Sequence, residues 1–217
     1  PLFRVGDQLV ETIRLHTDLS RDQAAKRALN LLREVGIPAP EDRINSYPHQ
    51  FSGGMRQRVV IALALCAEPD LIVADEPTTA LDVSIQAQIT ALLRQLCTDR
   101  GTAVMLVTHD MGVIAETADR VAVMYAGRLV ETGQVDDVIR RPEHPYTAGL
   151  MGSIPGLRRD VEELRMIPGS MPRLDAIPSG CAFHPRCEHA GPRCRREVPL
   201  IGGDGAACWL AMEESTT

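Results

Sequence analysis

Apolar residues recur at helical spacing in the first third of the chain. The stretch 7–16 carries them on one face, which predicts a short amphipathic helix. Ser20, with Gln23 further on, has the pattern of a capping box that starts a second helix, and Gly36 ends it. The stretch 59–66 is apolar on every face, which is typical of a buried helix.

Two continuous apolar runs, 71–74 and 102–107, predict short buried strands. Between them, the stretch 84–100 has apolar residues at helical spacing and predicts an amphipathic helix. Strand, helix and strand in this order are typical of an α/β fold. Further on, the stretches 120–125 and 128–131 predict a β-hairpin.

Composition and charge narrow the classes of function. Hydrophobic residues make up 44% of the 217, which is enough for a buried core. The net charge of −6 argues against nucleic acid as a partner, because proteins that bind the phosphate backbone usually present a basic surface. No apolar run approaches the roughly 20 residues of a membrane-spanning helix. We therefore expect a cytosolic chain, which can still have a membrane partner.

Two carboxylates follow the 71–74 run directly, at the end of a predicted parallel strand. In an open α/β sheet, this end of the strand borders the crevice where ligands bind. Asp75 is a candidate to hold Mg²⁺ through water, since a hard cation prefers oxygen ligands. Glu76 is a candidate to orient and polarise an attacking water. The alternative is two solvated acids at a strand end.

A serine and two glycines, Ser52-Gly53-Gly54, stand where a helix is predicted to begin. Free amides at a helix N-terminus bind phosphate, and glycines allow a ligand to come close. The alternative is a plain capped helix. His109 follows the second predicted strand, where a lone histidine is more often structural.

The order and spacing of these motifs resemble the ATP-binding subunits of ABC transporters. Residues 51–55 resemble the signature motif, Asp75-Glu76 the Walker B carboxylates, residues 80–82 the D-loop, and His109 the switch histidine. The family usually has Leu and Gln at the two ends of the signature, where this chain has Phe and Met. Only Ser52, Gly53 and Gly54 therefore carry over as phosphate contacts.

The resemblance also implies how these residues divide between two ATP molecules. Asp75, Glu76 and His109 act on the nucleotide held by their own subunit, and the histidine contacts the γ-phosphate. The signature residues act on the nucleotide of a second subunit, and Asp82 communicates across the interface between the two.

The phosphate-binding loop of the family is missing from the chain. Lys26, the only lysine, lacks the glycines of a Gly-x-x-x-x-Gly-Lys-Ser/Thr motif. We therefore expect the C-terminal part of a subunit, with a partial P-loop NTPase core, that cannot hydrolyse ATP alone. Three segments are expected: a helical subdomain over 1–69, the catalytic core over 70–133, and an extension over 134–217. The extension, loop-rich from residue 153, resembles that of peptide-importer ATPases through its His-Pro-Tyr element at 144–146.

Four of the six cysteines lie in this extension, at Cys181, Cys187, Cys194 and Cys208. Disulfides are disfavoured in a reducing compartment. Zinc fits four thiolates, although the tight knuckle spacing of structural zinc sites is missing. An iron–sulfur cluster tolerates varied spacing, and the context of residues 180–187 resembles the tail motif with which a four-iron cluster is associated in peptide-importer ATPases. Zinc and free thiols remain the alternatives.

The resemblance implies an ATP- and Mg²⁺-dependent subunit that energises uptake of di- or oligopeptides, with nickel among related solutes. Its implied partners are a second ATPase subunit, two transmembrane permeases and an extracytoplasmic solute-binding protein. Its implied place is the cytoplasmic face of the plasma (inner) membrane, as a peripheral protein. A non-transport ABC ATPase and an inactive truncated remnant remain alternatives.

Overall fold

A computed structural model describes residues 2–153, 166–201 and 203–214. The contacts within the chain divide it into two compact units, Pro1–His109 and Asp110–Thr217. Each unit has its own hydrophobic core. The finer division expected at 69/70 and 133/134 stays a prediction.

The first unit is a group of helices followed by a strand–helix–strand segment. Its elements are α1 Val5–His16, α2 Arg21–Glu34, α3 Pro40–Arg43, a 3-10 turn Pro48–Gln50, α4 Gly53–Leu65, β1 Leu71–Asp75, α5 Val83–Arg100 and β2 Ala103–Val107. The predicted capping box is present, since Ser20 and Gln23 exchange hydrogen bonds at the start of α2. The predicted helices and both strands are present. The prediction that the stretch 59–66 is buried on every face is wrong, since Val60 is 55% exposed and only one side of α4 packs into the core.

The strands β1 and β2 pair in parallel, with Asp75 opposite Val107. The prediction that both strands are buried is wrong for one face of this sheet. Ile72 and Ala74 join the helical core, whereas Val73 and Met105 point the other way and are 60% and 55% exposed. Only one face packs against the helices of the unit, and residues alternate between faces along a strand.

The second unit is built around an antiparallel sheet of order β3–β4–β5. Its elements are α6 Met111–Thr117, β3 Arg120–Tyr125, β4 Arg128–Gln134, α7 Val135–Arg140, α8 Pro145–Gly152, a 3-10 turn His184–Arg186, β5 Gly205–Ala206 and α9 Trp209–Glu214. The predicted hairpin is confirmed, and β4 runs three residues beyond its predicted end. Its turn residues Ala126 and Gly127 have φ of 48° and 77°, as a type I′ turn requires.

The tail of the second unit returns to this sheet. The residue pair Glu131 and Ala206 joins β4 to β5, and the Ala207 amide donates to the Val130 carbonyl at 2.8 Å. Arg120 of β3 forms an ion pair with Asp204. The tail between 166 and 201 is loop-rich apart from its 3-10 turn, as predicted, whereas β5 and α9 were not predicted.

None of the helices within the described ranges combines the length and apolar character needed to cross a bilayer.

Candidate functional site

The carboxyl ends of β1 and β2 bring the candidate catalytic residues together. The amide of Glu76 donates to the Val107 carbonyl at 2.8 Å and extends the parallel ladder by one step. His109 follows two residues after Val107, so its ring reaches the glutamate at the same edge of the sheet. Asp75, the last residue of β1, is exposed at this edge.

Both carboxylate oxygens of Glu76 have a partner. His109 Nδ1 lies 2.9 Å from Oε1, and the Thr79 hydroxyl donates to Oε2 at 2.7 Å. These two bonds, that of Thr79 first, lower the pKa of Glu76. An ionised carboxylate only accepts hydrogen bonds, so Nδ1 of the histidine carries the shared hydrogen. The glutamate is thus held ionised and oriented.

The backbone at this position is strained. Glu76 has φ of 44° and Ala80 has φ of 64°, in the left-handed region that residues other than glycine rarely adopt. Such conformations cost on the order of 1–3 kcal/mol and concentrate at functional sites. The turn keeps the glutamate accessible, with 44% of its side chain exposed.

The signature residues begin α4 beside the start of α5. Ser52 caps α4, accepting from the Met55 amide at 3.3 Å. Gly53 is exposed, but Gly54 is buried, and a Cβ built on it would lie 2.5 Å from Ile85 Cγ2. Gly54 therefore has a packing role between two helices, which the phosphate interpretation did not include.

Asp82 has a local structural task as well. It caps α5, accepting from the Ile85 amide at 2.9 Å and from the Ser84 hydroxyl at 3.1 Å. The hydrogen bond from the Ile85 amide is the largest cause of the lowered pKa of this carboxyl. The cap fixes the turn before α5 next to the start of α4, since Leu81 lies against Gly53.

The four tail cysteines line one cavity of about 230 Å³ in the second unit. A liquid water occupies roughly 30 Å³, so the cavity has room for a group larger than one ion. Other residues that line it include His144, His184, His189 and Trp209. All six cysteines lie in the described part of the chain, and none of them is paired in a disulfide there.

The cysteine loops are held close by one backbone contact. The Cys181 amide donates to the Cys194 carbonyl at 2.8 Å. Gly180 makes this approach possible, because its φ is 70° and an added Cβ would lie 2.4 Å from that carbonyl oxygen. Burial raises the pKa of the Cys181 and Cys187 thiols. Within the described ranges, no three His, Cys, Asp or Glu side chains stand close enough to bind a single metal ion.

The sequence analysis missed three residues that support the Glu76 site or the second unit. Thr79 holds Glu76, Trp209 lines the cysteine cavity, and Glu131 is a buried carboxylate. Glu131 Oε1 accepts from the Glu143 amide at 2.9 Å and Oε2 from the His144 amide at 3.0 Å. Only its position on the inner face of a predicted strand could have revealed it.

Comparison with known proteins identifies two families along the chain. Residues 3–79 match the family "ABC transporter". Residues 130–194 match the family "Oligopeptide/dipeptide transporter, C-terminal region". The first match includes the candidate residues at 51–55 and 75–76, and the second includes the first part of the tail.

Curated relatives match almost the whole chain. The dipeptide transport ATP-binding protein DppD of Bacillus subtilis is 50% identical over 97% of this chain and 64% of its own length. The oligopeptide transport ATP-binding protein OppD of Salmonella typhimurium is 46% identical over 99% of this chain and 65% of its own. The chain thus spans slightly less than two thirds of these relatives.

Solved structures share the fold. The dimeric ATP-binding cassette MJ0796 matches with a TM-score of 0.54 and 33% identity over 62% of this chain and 58% of that one. The same cassette in a post-hydrolysis state, bound to ADP and Pi, matches with a TM-score of 0.54 and 32% identity.

Proposed function

Since the chain belongs to the family of ABC transporter ATP-binding proteins, we propose that it supplies the hydrolytic residues of an ATPase subunit that energises uptake of di- or oligopeptides. The contact between Glu76 and His109 carries this proposal. It joins a general base to a second polar group at the carboxyl ends of neighbouring parallel strands, where α/β folds bind ligands.

Glu76 orients and polarises the water that attacks the γ-phosphate of ATP. Its lowered pKa keeps the carboxylate ionised at neutral pH, and its bonds to Thr79 and His109 restrict its rotation. When the imidazole is protonated, Nε2 also donates, so the ring can hold Glu76 and contact a phosphate oxygen together. Fixed orientation of the base matters because phosphoryl transfer depends mainly on positioning and charge stabilisation.

The remaining site residues hold the nucleotide. Asp75 would hold Mg²⁺ through water, and the ion, when bound, neutralises charge on the phosphates. Ser52, Gly53 and the amides that follow them contact the ATP of a second subunit, with Gly54 providing close packing behind them. Asp82, in its capped turn, lies on the same subunit interface.

A second ATPase subunit is therefore the first partner in this proposal. The dimeric state of the cassette MJ0796 supports it. The further partners are two transmembrane permeases and an extracytoplasmic solute-binding protein, which place the subunit on the cytoplasmic face of the membrane. The names of the curated relatives favour di- or oligopeptides as the solute.

The test joins this chain to the segment that precedes its match in Bacillus subtilis DppD. The chain alone should show no ATP turnover, because it lacks a phosphate-binding loop. The joined subunit should hydrolyse ATP. Turnover by the chain alone, or a folded, ATP-binding joined subunit without turnover, would contradict the proposal.

We propose that the cysteine cavity holds a four-iron cluster, with zinc as the alternative. The donor set is right for either group, with Cys181, Cys187, Cys194 and Cys208 around one cavity. Thiolates around a cluster of four irons stand further apart than thiolates around one ion. A cavity of about 230 Å³ has room for that wider arrangement. When bound, the cluster supplies a rigid cross-link and a one-electron redox centre.

Metal analysis of anaerobically purified protein tests the cluster. About four irons and four sulfides per chain, with a broad absorption band in the visible, are expected. One zinc per chain, or no metal, would overturn the cluster and leave the ATPase proposal untouched.

A further inference from the structure

One residue that lines the cysteine cavity, Trp209, has a hydrogen-bond donor without a partner among the described residues. Trp209, the first residue of α9, lines the cavity together with the four thiols. Its indole Nε1 is buried and has no hydrogen-bond partner among the described residues. Leaving a buried donor without a hydrogen bond is costly, and native structures retain few such groups. The indole N–H therefore lacks an acceptor among the described residues, next to a cavity that its ring helps to line.

The ring itself is firmly placed. The guanidinium carbon of Arg193 lies 3.4 Å from the centroid of the Trp209 ring and covers one of its faces. Arg193 is in turn fixed by Glu197, whose carboxylate accepts from Nε at 2.9 Å. Trp209 directly follows Cys208, and the Met212 amide donates to the Cys208 carbonyl at 3.1 Å to close the first turn of α9. The residue that carries the indole N–H is thus the direct neighbour of Cys208, one of the four candidate ligands.

We propose that the Trp209 indole N–H donates a hydrogen bond to a sulfur atom of the group that Cys181, Cys187, Cys194 and Cys208 hold. The inference rests on the proposed cluster at these cysteines. An indole N–H can only donate, and the thiolate and sulfide sulfurs of a cluster are negatively charged acceptors. Trp209 does not ligate the cluster and is a positioning residue. Its indole N–H gains an acceptor when the cluster is bound.

The hydrogen bond has a redox consequence. Reduction adds negative charge to the cluster, so a donor to one of its sulfurs stabilises the reduced form more than the oxidised form. Hydrogen bonds to the sulfurs are among the factors that set the reduction potential of iron–sulfur proteins. Trp209 therefore raises the potential relative to a chain without the donor.

The single tryptophan of the chain provides a direct readout. Anaerobic loading of the purified chain with iron and sulfide should quench the Trp209 fluorescence in step with the visible absorption of the cluster. Removal of the metal with a chelator should restore the emission. Full cluster loading without any change in emission would overturn the placement of the ring beside the cluster.

The hydrogen bond is tested with Trp209→Phe, which keeps an aromatic ring but has no N–H. The loaded variant should contain the same iron and sulfide, have a more negative reduction potential, and lose a deuterium-sensitive shift of its iron–sulfur stretching bands. A second variant replaces the indole by benzothienylalanine, in which sulfur takes the place of the N–H and the ring keeps its size and its stacking on Arg193. This variant should also have a more negative reduction potential and lose the deuterium-sensitive shift.

The outcomes distinguish a failure of the Trp209 hydrogen bond from a failure of the proposed cluster. Equal potentials and equal vibrational shifts in loaded wild type and both variants would overturn the role of Trp209 and leave the cluster intact. Absence of iron and sulfide from the wild-type chain would overturn the cluster, and with it a sulfur acceptor for the indole.

Discussion

The buried carboxylate of Glu131 allows a sharp test of the second unit. Its side chain is 2% exposed, and its two oxygens accept from consecutive amides just before α8. Glu131→Gln keeps the shape but replaces one oxygen by an NH₂ group, which faces an amide donor. One hydrogen bond is lost, and two donors are left opposed.

The expected cost follows from the number and kind of bonds. A hydrogen bond to a charged group contributes about 1.5–3 kcal/mol. Replacing the carboxylate by a neutral amide relieves part of the desolvation cost of the buried charge. We therefore expect Glu131→Gln to lower the free energy of unfolding by about 2 kcal/mol, near the lower end of that range.

Urea unfolding followed by fluorescence measures this change, because Trp209 lies in the same unit as Glu131. The matched control is Glu143→Gln, which removes the same charge from an exposed side chain at the same turn. The control should change the free energy of unfolding by less than about 0.5 kcal/mol. Equal effects of the two substitutions would refute the role assigned to the Glu131 bonds.

Two further substitutions act on the same unit. Gly180→Ala places a Cβ 2.4 Å from the Cys194 carbonyl and should abolish cluster loading, measured as iron per chain. The control Gly127→Ala has a similar positive φ but nothing within 4 Å, and it should load normally. Burial lowers the pKa of His144 from 6.5 to about 4, so the unfolded state binds the proton more readily and stability is lost as pH falls through that window. His144→Asn keeps an acceptor for the Tyr146 amide and should remove this pH dependence, worth at most about 3 kcal/mol, in unfolding measured from pH 7 to 4. A pH dependence that His144→Asn leaves unchanged would contradict the assignment, as would normal iron loading in Gly180→Ala.

Motif order predicted the family, and hydrophobic spacing predicted the helices and the strand that the acidic residues follow. The Glu76–His109 contact could be expected, because the resemblance assigns both residues to one γ-phosphate and both follow predicted strands. Helix and strand patterns depend on residues that are near in sequence. They therefore predict the observed elements wherever an element packs on one face. The exposed face of β1 and β2 was missed because a continuous apolar run looks the same whether one face is covered or two.

Two of the residues that sequence analysis missed, Trp209 and Glu131, act through contacts distant in sequence, whereas Thr79 contacts Glu76 only three residues away. Trp209 reaches the cysteine cavity only through the return of the tail. Glu131 meets its two amides, twelve and thirteen residues away, only after β4 and α8 have packed. Gly54 has a further role because α5 lies against it. Pattern and composition do not contain such tertiary neighbours.

The central claim is that Glu76 is the base for ATP hydrolysis. It is tested most directly by ATP turnover of the subunit joined to the preceding DppD segment, with and without Glu76→Gln. The substituted subunit should bind ATP as the parent does, and its turnover should fall by about 10²–10⁴-fold, the usual contribution of a general base. Glu11→Gln, at an exposed helix position, should leave turnover unchanged. Turnover that persists in Glu76→Gln at the rate of the parent would contradict the assignment.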